Sequence, residues 1–249
     1  MNLAQKTCLI TGGTKGIGAA TAIVMAELGA NISIVARRLD DEAQRTRQQV
    51  EALGRPCLLV AADIGKPSEA TRCVEETARR FGSVDVLVHS AGGAVNGGLL
   101  ELTPEAWLAA FDVHVHAVFH LCRAAIPGMQ QKKEGAIILI SSAAGIRGLK
   151  TNVAYQTVKG ALPQLTRALA YEFAADNIRV NCVAPGVIRT AFHAQMTPEV
   201  QKHNLENRIP LRSEGTSEQV ASSIRELVTN DYITGQTVVI DGGLTMRIC

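Results

Sequence analysis

Seven short apolar runs punctuate the chain: KTCLI, NISIVA, CLLVA, VDVLVH, GAIILIS, IRVNCVA and TVVID. Each is nearly continuous in Val, Ile, Leu and Ala instead of alternating with polar residues, which is the pattern of strands buried on both faces. Stretches of helical period separate them. The first predicted helix covers 17–28 and is closed by Gly29, the second covers 40–53 and is closed by Gly54, and both glycines stand where a left-handed C-terminal cap belongs. This alternation predicts an α/β fold: a doubly wound parallel sheet with helices on both faces. Such sheets bind ligands beyond the carboxyl ends of their strands. The first six strand exits therefore matter most, and they read TGGTKGIG, ARR, ADI, HSAGG, SSAAG and APGVIRT.

Composition narrows the picture without changing it. With 249 residues, 47% hydrophobic and 19% charged, the chain has the material for one large core, and residues 1–249 are expected to form a single domain. Lys and Arg number 25 against 23 Asp and Glu, so a net charge of +2 supplies no field for nucleic acid or an anionic membrane surface. A small-molecule ligand is expected. The six cysteines lie far apart with no C-x-x-C pair, so buried thiols are expected instead of a metal or redox site. The N-terminal MNLAQKTCLITGG resembles no leader, and no run approaches a membrane span, which makes the cytoplasm the expected location.

Gly12, Gly16 and Gly18 fall at the turn from the first strand into the first helix, where side chains would keep a pyrophosphate away from backbone N–H groups and the helix N-terminus. A carboxylate for a ribose 2′-hydroxyl belongs at the end of the second strand, but that place reads Ala36, Arg37, Arg38. Lys15 and Arg37 are instead suited to a 2′-phosphate, so NADP(H) is expected over NAD(H).

Tyr155 and Lys159 are four residues apart, one helical turn, and Ser142 precedes Tyr155 by thirteen residues at a strand exit. At an effective dielectric of about 20 and a charge separation of about 4.5 Å, the ammonium favours phenolate by roughly 3.7 kcal/mol, or about 2.7 pKa units. That expectation places the phenol near neutral pH, able to exchange a proton with an alcohol or carbonyl oxygen to which Ser142 also donates.

These residues resemble the short-chain dehydrogenase/reductase family, in its single-domain branch of about 250 residues, over essentially the whole chain. The family's T-G-x-x-x-G-x-G is Thr11 to Gly18, including Thr14, Lys15 and Ile17, and its Y-x-x-x-K is Tyr155 to Lys159. The resemblance implies a Rossmann-like seven-stranded sheet of order 3-2-1-4-5-6-7 and a homotetramer or homodimer. It implies nucleotide contacts at Asp63, Ile64, Ser90, Ala91 and Gly92, and at Pro185, Gly186, Ile188 and Thr190 beside the carboxamide. Tyr155 then serves as acid/base, Lys159 also holds the nicotinamide ribose, and Ser142 orients the carbonyl.

Two departures stand out. The family's N-N-A-G reads His89-Ser90-Ala91-Gly92, and its catalytic asparagine aligns with His114 in FDVHVHAVF. An imidazole at 114 is expected to hold a relay water and to carry a proton near neutral pH. His116 and His120 share a helix face while His114 points elsewhere, so three-histidine metal ligation is not expected.

The segment 190–212 is where the family builds its substrate lid, mixing Phe192, Met196, Leu205 and Ile209 with His193, Lys202, His203 and Arg208. Residues 93–99 and 145–149 supply the other walls, with Arg147 either meeting an anionic substrate or standing as a solvated charge. The expected activity is hydride transfer between nicotinamide and a ketone or secondary alcohol. A 3-oxoacyl-carrier-protein reductase and a polyol or sugar dehydrogenase are the alternatives. The first is poorly served by the helix TRALAYEFAAD, which sets Arg167 against Glu172 and Asp176. A cofactor-binding module without chemistry is the alternative of another class.

Overall fold

The computed structural model describes residues 1–190 and 196–246. Strands β1 (Thr7–Thr11), β2 (Asn31–Ala36), β3 (Cys57–Ala61), β4 (Val86–His89), β5 (Gly135–Ile140), β6 (Ile178–Pro185) and β7 (Thr237–Ile240) form one parallel sheet. Its order is β3-β2-β1-β4-β5-β6-β7, as the resemblance implied. The chain therefore winds outward from β1 in one direction and resumes on the other side at β4. That reversal opens the crevice in which such sheets bind ligands.

Eight α-helices are described: α1 (Gly16–Glu27), α2 (Asp41–Ala52), α3 (Pro67–Phe81), α4 (Pro104–Phe111), α5 (Ala117–Lys132), α6 (Val153–Phe173), α7 (Pro198–His203) and α8 (Ser217–Thr229). Gly29 and Gly54 have φ of +90° and +74°, so both predicted stop signals act through the left-handed backbone that glycine tolerates. Asp40 lies just before α2 as its N-cap, its carboxylate accepting from the Ala43 N–H. None of these helices is long and apolar enough to cross a membrane.

Alternate residues of each strand feed opposite layers of the core. On β1, Leu9 packs with Leu87, Ile137 and Val180 under α5 and α6, while Cys8 and Ile10 pack with Ile32, Val86 and Ile138 under α1 and α8. Each such fully buried side chain contributes about 1.5–3 kcal/mol. Burial on both faces holds for β1, β4, β5 and β6, but not for the two end strands. On β3 only Val60 is fully buried, and Val239 of β7 is exposed, because an edge strand lacks a neighbour on one side. Cys8, Cys73, Cys122 and Cys182 are buried and Cys57 is half-buried, all as free thiols. Burial pushes the Cys57, Cys73 and Cys122 thiols up to about 12, which keeps them unreactive.

Candidate active site

The carboxyl ends of the strands surround a cavity of about 710 Å³. Its floor at one end is the β1–α1 turn. Gly12 has φ +68°, and a Cβ there would lie 2.7 Å from the Ala91 Cα, so the turn presses directly on the loop after β4. At Gly18 a Cβ would meet the Gly12 carbonyl oxygen at 2.2 Å, which explains why this glycine sits beneath the turn instead of lining the cavity. The first turn of α1 carries no acidic residue and Lys15 makes no side-chain cap, while Lys15, Gly16 and Ile17 line the cavity. Such a terminus suits a pyrophosphate. The geometry fits the nucleotide expected from the glycine spacing.

Most of the expected nucleotide contacts line this cavity: Gly12, Thr14, Lys15, Gly16, Ile17, Arg37, Asp63, Ile64, Ser90, Ala91, Gly92, Pro185, Gly186, Ile188 and Thr190. Arg38 does not; it is exposed beside Arg37. Lys15 forms an ion pair with Glu42 of α2 at 3.1 Å, so part of its charge is already engaged. Arg37 lines the cavity as the other cation at this end.

At the other end Ser142, Tyr155 and Lys159 converge. Ser142 follows β5 and caps a single 3₁₀ turn, accepting from the Ala144 N–H at 3.1 Å, while its hydroxyl is hydrogen-bonded to the Tyr155 phenol. Lys159 is only 6% exposed and donates from Nζ to the Ile140 carbonyl at 2.7 Å. Ser141 secures the same helical turn, its hydroxyl donating to the Lys159 carbonyl at 2.7 Å. Neither Ile140 nor Ser141 was singled out from sequence, since nothing local marks a strand-end carbonyl as a lysine partner.

This arrangement corrects the expected acidity of Tyr155. Burial pushes the phenol above its ordinary range, and the Ser142 hydrogen bond opposes that only in part. The lysine Nζ lies 5.8 Å from the centre of the phenol ring and is aimed at Ile140, and burial drives Lys159 itself down to about 8. Desolvation outweighs the Coulomb attraction estimated from helical spacing alone.

His114 lies within a single π-helical turn, Asp112–His116, between α4 and α5, and is 2% exposed. Its ring stands edge-on to Tyr155, 6.1 Å between centres at 87°. The Nε2 lies 3.2 Å from the Gly93 carbonyl oxygen, and Nδ1 is buried without a hydrogen-bond partner. Gly92 makes room for the ring: a Cβ there would come within 2.1 Å of His114 Cε1. Burial, reinforced by the Lys159 charge, pushes His114 down to about 3. The expectation that this imidazole carries a proton near neutral pH is therefore corrected; it is neutral there. His116 pairs with Asp112 at 2.9 Å and the His120 ring meets Phe119 edge-on, and among the described residues the three imidazoles form no common cluster.

Of the expected lid, Phe192 and His193 lie outside the described residues. Met196, Leu205 and Ile209 flank or follow α7, with Ile209 buried at 3% exposure. Arg147 is exposed, as the solvated-charge reading expected, and its Nε donates to the Thr245 carbonyl at 2.9 Å, tying the β5–α6 loop to the C-terminal segment. Val95 lines the cavity from the expected wall 93–99, whereas sequence reasoning missed Ala106, Ala109 and Val113 beside it, because scattered small residues carry no motif.

A family model described as enoyl-(acyl carrier protein) reductase matches residues 12–245. Dehydrogenase/reductase SDR family member 4 of Oryctolagus cuniculus is 34% identical over 99% of this chain and 96% of its own. The 3-oxoacyl-[acyl-carrier-protein] reductase of Bos taurus is also 34% identical, over 98% of this chain and 100% of its own. Among solved structures, a blue fluorescent protein from a metagenomic library, in complex with NADPH, superposes with a TM-score of 0.91 at 31% identity, covering 98% of this chain and 99% of that one.

Proposed function

Since the chain belongs to the short-chain dehydrogenase/reductase family of oxidoreductases, we propose that it is an NADP(H)-dependent reductase of small uncharged ketones, working in reverse on the corresponding secondary alcohols. The observation that carries this reading is the Ser142–Tyr155 hydrogen bond in the same cavity as the glycine turn. Among the described lining residues the charged ones are Lys15, Arg37, Asp63 and Lys159, all on the nucleotide and lysine side. Among the described residues, the substrate side with Val95, Ala106 and Ala109 offers no cation to a carboxylate or phosphate. A compact neutral ketone fits this wall better than a carrier-bound acyl group, the substrate named for the bovine relative. The nucleotide supplies the hydride when it is bound.

The protein's own groups then handle the oxygen. Ser142 donates a hydrogen bond to the carbonyl, and Tyr155 transfers its proton to the same oxygen as charge develops. The raised pKa keeps the phenol protonated at neutral pH, the form that reduction needs. Lys159 binds ribose hydroxyls from its buried position, and the acceptor nitrogen of His114 steadies a water that returns a proton toward Tyr155. A panel of ketones with NADPH and of alcohols with NADP+ tests the assignment. No turnover with any member, despite saturable binding of nucleotide, would favour the non-catalytic module instead.

Arg37→Ala is expected to weaken NADPH binding about 10- to 100-fold, the loss of a charge-assisted hydrogen bond of about 1.5–3 kcal/mol, with NADH binding nearly unchanged. Nucleotide fluorescence titration measures both constants. Equal effects on the two cofactors would remove the 2′-phosphate assignment. Exposed Leu108, Phe119 and Tyr171 on α4, α5 and α6 favour pairing with a second copy of the chain. Light scattering is expected to give a dimer or tetramer mass, and a monomer at micromolar concentration would exclude it.

A further inference from the structure

Between Ser142 and Tyr155 the chain makes one 3₁₀ turn and then an exposed irregular loop, residues 146–151. Its near end is pressed against α6: a Cβ on Gly145 would lie 2.6 Å from the Lys159 carbonyl carbon. Arg147, bonded to the Thr245 carbonyl, restrains the middle. The far end hangs from one half-buried side chain, Gln156. Its Oε1 accepts from the Leu149 N–H at 2.7 Å, while Nε2 donates to the Leu149 carbonyl at 3.0 Å and to the Thr151 carbonyl. One acceptor and two donor hydrogens thus meet one N–H and two carbonyls, a match that fixes which way the amide points.

The backbone held in this way is strained. Thr151 and Asn152 have φ of +70° and +57°, and a β-branched residue keeps such a conformation only where its surroundings impose it. The helical turn that supplies Gln156 also presents Tyr155, one residue earlier, and its Val153 N–H donates to the Gly97 carbonyl at 3.3 Å. Segments 93–99 and 146–151 are therefore both fastened to the turn that carries the phenol. We propose that Gln156 is a positioning residue, bracketing the loop backbone so that the wall flanking Tyr155 is formed before a ketone arrives. A wall ordered in advance spares the ligand the cost of ordering it on binding. The kinetic consequence rests on the reductase reading, whereas the bracket does not.

The test reads the loop first and the reaction second. In wild type the Leu149 amide should exchange hydrogen about 10- to 100-fold more slowly than those of Gly148 and Lys150, to which Gln156 makes no bond. Gln156→Met keeps the length of the side chain and loses all three hydrogen bonds, so trypsin should cut after exposed Lys150 about 10- to 100-fold faster, because cleavage follows the open population. Gln156→Glu keeps the acceptor for Leu149 without either donor and should fall between the two. With NADPH and a ketone, Gln156→Met should raise KM about 10-fold, while kcat and the NADPH dissociation constant change far less. A merely structural role would lower kcat through loss of folded enzyme and leave KM in place. A Leu149 amide that exchanges as fast as its neighbours would overturn the bracket, as would unchanged cleavage at Lys150 in Gln156→Met. An unchanged KM in a protein with a loosened loop would overturn its part in the reaction. If no ketone is ever reduced, the functional reading fails while exchange and proteolysis still decide the bracket. Should Gln156→Met fail to fold, wild-type exchange and the Gln156→Glu protein decide it.

Discussion

Tyr155→Phe is expected to lower kcat for ketone reduction by about 10²- to 10⁴-fold, the contribution of a positioned general acid. The substitution removes one oxygen and leaves the ring to pack edge-on against His114. Losing the hydrogen bond to Ser142 should cost about 1 kcal/mol of stability, whereas a thousandfold loss of rate corresponds to about 4 kcal/mol in the barrier. A drop in melting temperature alone therefore cannot imitate the catalytic effect. Single-turnover consumption of NADPH gives the rate and fluorescence titration gives the binding constant. Retained turnover with retained binding would show that another group protonates the oxygen. The pH dependence carries the same information from the other side. Because the phenol titrates above its ordinary value, reduction should persist through mildly alkaline pH, while alcohol oxidation, which requires phenolate, should rise with pH.

Acid should destabilise the folded chain earlier than surface carboxylates would. His89 and His114 titrate near 6.5 when unfolded, and burial pushes both down to about 3 in the fold, helped by the Lys159 charge and, for His89, by His114. Between those values the unfolded chain binds protons that the folded chain refuses. The sign follows directly: their contribution is complete above about pH 6.5 and is lost progressively as pH falls toward about 3. At about pH 5 the loss is about 2 kcal/mol for each histidine, or about 4 kcal/mol together, on a total stability of about 5–15 kcal/mol. The carboxylates held low, such as half-buried Asp176 and exposed Asp231, act only at lower pH. Urea unfolding at about pH 7.5 and about pH 5 should reveal the difference, and the double variant His89→Asn with His114→Asn should flatten it. An unchanged slope in that variant would assign the acid sensitivity elsewhere.

Strand β2 stands where the apolar run NISIVA placed it, since a run of buried residues is itself the signal of a covered strand, and CLLVA likewise became β3 although only Val60 there is fully buried. The glycine turn was equally legible, because Gly12 and Gly18 answer to the backbone atoms a Cβ would strike, and residue type alone reports that need. The pairing of Tyr155 with Lys159 followed from helical spacing. Their acidities did not, because desolvation depends on everything packed around them and not on four residues of sequence.

What the chain's order of residues determines, then, is local: where strands and helices begin and end, where the backbone must bend without a side chain, and which chemical groups leave the strand ends. What the packed molecule decides is every relation between distant segments. Lys159 turns to the Ile140 carbonyl, Arg147 to Thr245, and His89 to the Thr11 hydroxyl. Those partners meet only after the sheet closes, and around Lys159 and His89 the exclusion of water sets the charge the side chain carries.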